Sequence, residues 1–114
     1  MEGSIWESLM LAGKFKLESL HILVDWNDTH LSRLQINGII KYCEEIGFDI
    51  CEVDGHNQNE IKKVIEVESS NPKLIIAHTI LGEGIPGIEG NKSWHHKSIS
   101  TDELEKIKKI LLGI

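Results

Sequence analysis

FDICEVDGHNQNEIKKVIEVESSNPKLIIAHT, residues 48–79, is the stretch whose reading decides the fold. FDICEVD (48–54) reads as a strand that runs into the turn residues Gly55 and Asn57. NQNEIKKVIEVES (57–69) reads as a helix capped by Asn57 or Asn59, with Ile61, Val64, Ile65 and Glu68 on its register. Pro72 punctuates the chain, and KLIIAHT (73–79) reads as the next strand. Strand, helix and strand joined by short links imply two parallel strands and a right-handed crossover.

The alternation continues outward. HILVDW (21–26) is a short apolar run ending in polar residues, the pattern of a buried parallel strand. Before it, Trp6, Leu9, Met10 and Gly13 recur at helical spacing with Ile5 beside them, which predicts a core helix over 4–16. Ser4 is its expected N-cap and Glu7 the capping-box partner. A second helix is predicted over 36–46, with Ile36, Ile39, Ile40, Cys43 and Ile46 on one side and Gly47 as its stop. Residues 80–97 form a long loop carrying Gly82, Gly84, Gly87, Gly90 and Pro86. Thr101 is expected to cap a last helix, acidic at its start and basic further on, as the helix dipole favours. The order α-β-α-β-α-β-loop-α predicts a three-layer α/β fold with a mostly parallel sheet and flanking helices. Such a thin sheet leaves much of its edge exposed, and the chain looks like part of a domain.

Composition narrows the function. The 114 residues suit one small domain, and at 40% hydrophobic and 26% charged they read as globular. The net charge is −6, with no basic cluster of the kind that displaces counterions from nucleic acid. No apolar run approaches the roughly 20 residues of a membrane span, and there is no signal-like start. A cytoplasmic protein with no nucleic-acid or membrane partner is expected. Cys43 and Cys51 have no metal or redox spacing and are expected to be reduced, buried thiols.

In open α/β sheets the ligand lies beyond the carboxyl ends of the strands. Those ends here carry Asp25, Asn27, Asp28, Thr29 and His30, then Asp54, Gly55, His56 and Asn57, then His78 and Thr79. Asp25 and Asn27 are ordinary turn formers. Their oxygens, with a backbone carbonyl, equally suit Mg²⁺, which takes few protein ligands when a substrate phosphate supplies the rest. His56 fits a turn cap. His95 and His96 are adjacent and on an extended chain point opposite ways. His56, His78, His95 and His96 are also the candidates for zinc, but they lack cysteine co-ligands and i, i+4 spacing. The glycine-rich loop before Trp94 and His95 is costly to order, and loops of that kind are more often functional than decorative.

Four ordered stretches resemble the N-terminal, diphosphate-binding domain of transketolases, particularly the type split into two chains. EGSIWESLMLAGKFKLESLHILVDWN (2–27) resembles the helix and strand that follow the family's Gly-Asp-Gly motif and end at its metal-binding Asn. IGFDICEVDGHN (46–57) is similar to the strand ending in Val-Asp-Gly-His. NPKLIIAHTILGEG (71–84) resembles the strand entering the cofactor loop. EGNKSWHHKSISTDELEKI (89–107) resembles the loop with a cofactor-contacting His and the helix after it. LQING (34–38) also resembles a family motif, set further from Asn27 than is usual.

The resemblance implies thiamine diphosphate with magnesium or calcium, and transfer of a two-carbon ketol unit between sugar phosphates. By matching position, Asn27 binds the metal through its side chain and Thr29 through its carbonyl. His95 reaches the diphosphate, and Glu2 lies near the contact between paired active sites. Asp54, Gly55 and His56 match a signature with a structural role. The Gly-Asp-Gly motif would precede Met1, so residues 1–114 are expected to be a single partial domain, the C-terminal portion of the diphosphate-binding domain. The expected partner is a C-terminal transketolase subunit carrying the pyrimidine-binding domain and its activating Glu, assembled as a dimer of such pairs. The chain is expected to be inactive alone. The contrasting expectation is a non-catalytic module that docks on transketolase subunits through its sheet edge and the Trp6 helix face.

Overall fold

The computed structural model describes residues 3–28 and 32–114. Its elements are α1 (Ser4–Lys14), β1 (His21–Trp26), α2 (Arg33–Glu45), β2 (Asp49–Asp54), α3 (Gln58–Glu66), β3 (Lys73–His78), a 3-10 turn (Lys92–Trp94) and α4 (Thr101–Leu112). They fall into two compact units, Met1–Thr79 and Ile80–Ile114. Among the described residues no helix is long and apolar enough to cross a membrane.

The first unit is the α/β body. Its parallel sheet has the order β1-β3-β2, so the last strand in sequence lies in the middle. That placement explains the composition of β3: Leu74, Ile75, Ile76 and Ala77 are all buried, because both faces of a central parallel strand are covered. Leu74 and Ile76 meet Leu9, Ala12, Ile36, Cys43 and Phe48 from the α1–α2 side. Ile75 and Ala77 meet Val53, with Ile61 and Val64 of α3 packed against them. Helices therefore cover both faces, in three layers. Lys73 opens β3 with 3% of its surface exposed, and its Nζ donates to the carbonyls of Val64 (2.8 Å) and Val67. A buried ammonium thus satisfies the carboxyl end of α3.

Several expectations need correcting. The core face of α1 is Leu9, Ala12 and Gly13 with Trp6 beside them, whereas Met10 and Ile5 are exposed. The helix begins from Gly3, whose backbone is already helical, so Ser4 lies inside it and makes no capping box with Glu7. Gly13 has a packing role, since a Cβ there would strike the carbonyl oxygen of Ile46. The α2 helix starts earlier than Ile36: Ser32 caps it, accepting from the Gln35 amide (3.3 Å) while Gln35 Oε1 accepts from the Ser32 amide (2.9 Å). Residues of β1 alternate between exposed and half-buried rather than being buried throughout, because β1 is an edge strand covered on one face. Cys43 is buried, and burial pushes its thiol to about 11; Cys51 is only half-buried, and both are free. Asn57, not Asn59, caps α3, accepting from the amides of Asn59 and Glu60.

The Ile80–Ile114 unit is built on glycine turns around Ile88, its buried apolar residue among those described. Gly82 has φ +66° and packs on Ile88, a position where any side chain is both strained and obstructed. The Gly90 amide closes the loop on the Leu81 carbonyl (2.8 Å), and the Gly84 amide donates to Glu89 (3.1 Å). Ser100 rather than Thr101 caps α4, in a reciprocal capping box with Glu103, and Gly113 ends the helix in the left-handed conformation.

Candidate functional site

The three strands of the first unit end level: Trp26 is in register with His78, and His78 with Asp54. Their carboxyl ends therefore present one polar rim, where an open α/β sheet holds ligands. Each end is tied to a neighbour. The Thr79 hydroxyl donates to Asp25, and the Thr79 amide to the Trp26 carbonyl (3.2 Å), joining β1 to β3. The Gly55 amide donates to the His78 carbonyl (2.7 Å), joining β2 to β3. A Cβ at Gly55 would run into the Thr79 methyl group and the His78 carbonyl oxygen, so this close approach requires glycine. The His56 amide donates to Asp54 Oδ1 (2.9 Å), and the Asp54 amide to Glu60 (2.9 Å), which fixes the turn into α3. The role of Asp54-Gly55-His56 in holding the turn is thus visible in its bonds.

A closed ring of side chains lies on the α2 face of this rim. Glu52 Oε2 is 2.7 Å from His78 Nε2 and 3.2 Å from Arg33 Nη1. The Arg33 guanidinium lies over Trp26, 5.1 Å from the ring centroid, and Trp26 meets His78 edge-on at 4.9 Å. The His78 hydrogen bond first, and Arg33 after it, holds the Glu52 carboxyl below its ordinary range. Trp26, Asp28, Arg33, His78 and Thr79 line an open cavity of about 300 Å³. A larger cleft of about 630 Å³, lined by Glu18, His21, Glu66, Glu68 and neighbours, includes His21 from the amino end of β1, away from the strand ends.

Of the residues singled out from sequence, Asn27 directly follows β1, half-buried, and Asp28 after it takes a left-handed φ of +58°. Glu2, Thr29 and His30 lie outside the described residues. His95 belongs to the Ile80–Ile114 unit, where it ends the 3-10 turn and is half-buried. It does not point away from His96: the φ of +68° at His96 folds the two rings together, with centroids 4.2 Å apart. Arg33 and Glu52 escaped the sequence reading. Glu52 carries a signal, a charge inside an otherwise apolar strand; Arg33 meets it only through the register of α2 on β2.

The donor set suits a hard cation. Asn27, Asp25 and Asp28 carry side-chain oxygens of the kind Mg²⁺ and Ca²⁺ take. Among the described residues no three His, Cys, Asp or Glu form a metal-holding group; of the zinc candidates, His56 and His78 belong to the Met1–Thr79 unit and His95 and His96 to the Ile80–Ile114 unit.

The fold places the chain among α/β proteins with a parallel sheet flanked by helices, whose strand ends form a polar rim. Residues 1–114 match the family model for the transketolase thiamine diphosphate-binding domain, and the chain belongs to that family. It is 36% identical to rat transketolase over 111 residues, covering 93% of this chain and 18% of that protein. It is 35% identical to an apulose-4-phosphate transketolase subunit of Actinobacillus succinogenes over 114 residues, covering 91% of this chain and 40% of that one. The transketolase structure from Campylobacter jejuni superposes with a TM-score of 0.75 at 30% identity, over 96% of this chain and 18% of that chain. The Leishmania mexicana transketolase superposes at 0.73 with 22% identity, a likeness of fold. The chain thus spans about a fifth of the full transketolases and two fifths of the apulose-4-phosphate relative.

Proposed function

We propose that this chain supplies part of the diphosphate-binding half of a transketolase-like active site. The observation that carries this reading is the family match over residues 1–114, supported by the oxygen-rich rim at the strand ends. In this reading residues 1–114 are the C-terminal portion of the diphosphate-binding domain. The Asn27 side chain and the Thr29 carbonyl hold Mg²⁺ or Ca²⁺, and the His95 imidazole donates to a diphosphate oxygen. Glu2 sits near the contact between paired sites. Thiamine diphosphate, when bound, supplies the electron sink for transferring a two-carbon ketol unit between sugar phosphates. The Thr79 amide bond to the Trp26 carbonyl ties the end of β1 to β3, so that Asn27 is presented from a fixed strand end. The apulose-4-phosphate transketolases among the relatives are named as single subunits, which supports a split enzyme. The partner proposed here is a C-terminal chain carrying the pyrimidine-binding domain, in a cytoplasmic assembly of paired dimers.

The test is a titration of the purified chain with thiamine diphosphate, with and without Mg²⁺, followed by tryptophan fluorescence. Saturable binding that needs Mg²⁺ is expected, lost in Asn27→Ala and weakened about tenfold in His95→Ala, the worth of one charge-assisted hydrogen bond. The chain alone should transfer no ketol unit, and activity should appear on adding a chain with the pyrimidine domain. Metal-independent binding or none would instead favour a non-catalytic docking module. Turnover by the chain alone would refute the need for a partner.

A further inference from the structure

Residues 94–97 form a type II turn. The Lys97 amide donates to the Trp94 carbonyl (3.1 Å). His95, second in the turn, has φ −63° and ψ 121°, and His96, third, has φ +68°. Glycine is preferred at that third place, because a side chain there crowds the backbone. Among the described residues of the Ile80–Ile114 unit, every other positive φ belongs to a glycine: Gly82, Gly84, Gly87, Gly90 and Gly113. His96 is the exception.

The turn is braced against this strain from both sides. The Trp94 and His95 amides donate to the carbonyls of Asn91 (3.0 Å) and Lys92 (3.2 Å). The Lys97 Nζ lies 3.7 Å from the Trp94 ring centroid and 3.0 Å from Glu103 Oε1 on α4. Strained backbone persists where its surroundings over-determine it, and it gathers at functional sites. What histidine adds over glycine is a ring. His96 is exposed, and its imidazole meets that of the half-buried His95 edge-on, with centroids 4.2 Å apart and planes at 79°. Such a ring pair returns about what the strain costs, so stability does not select histidine over glycine here. The contact does limit where the His95 ring can stand.

We propose that His96 is a positioning residue, whose ring holds the His95 imidazole in the orientation that donates to a diphosphate oxygen. This rests on the proposed role of His95 as the diphosphate-contacting residue. His96 touches no ligand atom and acts through His95, which then has less freedom to lose on binding.

The experiment titrates the full chain with thiamine diphosphate and Mg²⁺, comparing wild type, His96→Gly, His95→Ala and the double variant. His96→Gly should weaken binding about threefold, the worth of ordering one side chain on binding rather than beforehand. The Lys97 amide should exchange with solvent no faster than in wild type, because glycine suits the turn. In the His95→Ala background, adding His96→Gly should change nothing further. The His95 side chain is also read without ligand: its Hα–Hβ couplings should report one rotamer in wild type and averaging in His96→Gly. Binding by His96→Gly as tight as wild type would overturn the proposal. So would a loss accompanied by faster Lys97 exchange, which marks a structural role, or a further loss in the His95→Ala background, which marks direct contact with the ligand. Should wild type bind no thiamine diphosphate, the proposed site fails and the couplings alone decide: averaging in wild type overturns the positioning role, and one rotamer released by His96→Gly upholds it.

Discussion

At the scale of single residues, close approach and paired charge decide what can change. Gly55 has an ordinary φ, so its need for glycine comes from space: the Thr79 methyl, the His78 carbonyl and the Ala77 Cβ surround the point where a side chain would begin. Gly55→Ala should cost about 1–3 kcal/mol, as overpacking does, read as a lowered urea midpoint with an unchanged slope. This requirement could be read from Val-Asp-Gly-His only as a resemblance, because the crowding atoms come from β3. Asp49 shows the electrostatic counterpart. Hydrogen bonds from Ser69 and then Asn71, with the charge of Lys73, hold its carboxyl below 3.8. A depressed carboxylate stabilises the folded state fully above its unfolded pKa and loses that contribution as pH falls through the folded one. Wild type should therefore be more stable than Asp49→Asn at pH 7, with the gap closing below about pH 3.8. Paired denaturation curves at pH 7 and pH 3 measure it, and a gap as large at pH 3 as at pH 7 would refute the assignment.

At the scale of elements, the helix starts teach the most. Ser4-Ile5-Trp6-Glu7, Ser32-Arg33-Leu34-Gln35 and Ser100-Thr101-Asp102-Glu103 all fit the capping-box pattern, yet the structure realises only the last two. A cap needs an extended backbone at the serine, with ψ near 161° as at Ser32 and Ser100; Gly3 is helical at ψ −30° and carries the first turn past Ser4. Pattern alone does not report that angle. Ser32→Ala should therefore cost about 1 kcal/mol and Ser4→Ala less than about half of that, compared by thermal melting. Glu103 extends the same reasoning to pH. Its bonds to the Ser100 backbone and hydroxyl, and then to Lys97, pull it to about 2. The support it gives α4 is complete above pH 4.5 and disappears as pH falls toward 2, so the α4 amides should lose exchange protection over that interval. The strands were easier to read than the caps, since an apolar run bounded by turn residues survives in any register. Their order was not, because nothing in HILVDW says that KLIIAHT rather than FDICEVD lies beside it.

At the scale of the molecule, the same ordering governs both the site and the stability. Placing β3 in the centre brings the ends of β1 and β2 to either side of His78, which is why Glu52 and His78 meet Trp26 and Arg33 from distant parts of the sequence. The individual strand-end residues could be found from the α/β pattern; their partnerships required the sheet order. That order also concentrates the core. The buried apolar residues belong to the Met1–Thr79 unit except Ile88, which stands in the Ile80–Ile114 unit. A unit with little buried apolar surface opens at lower free energy than one built around a covered central strand. Amides of Leu74–Ala77 should exchange slowest, those of β1 faster, and those of α4 and the glycine turns first. Hydrogen exchange resolved by residue measures this hierarchy. If α4 and β3 instead exchanged together at a single rate, the chain would open as one cooperative unit and the division at Thr79 would carry no energetic meaning.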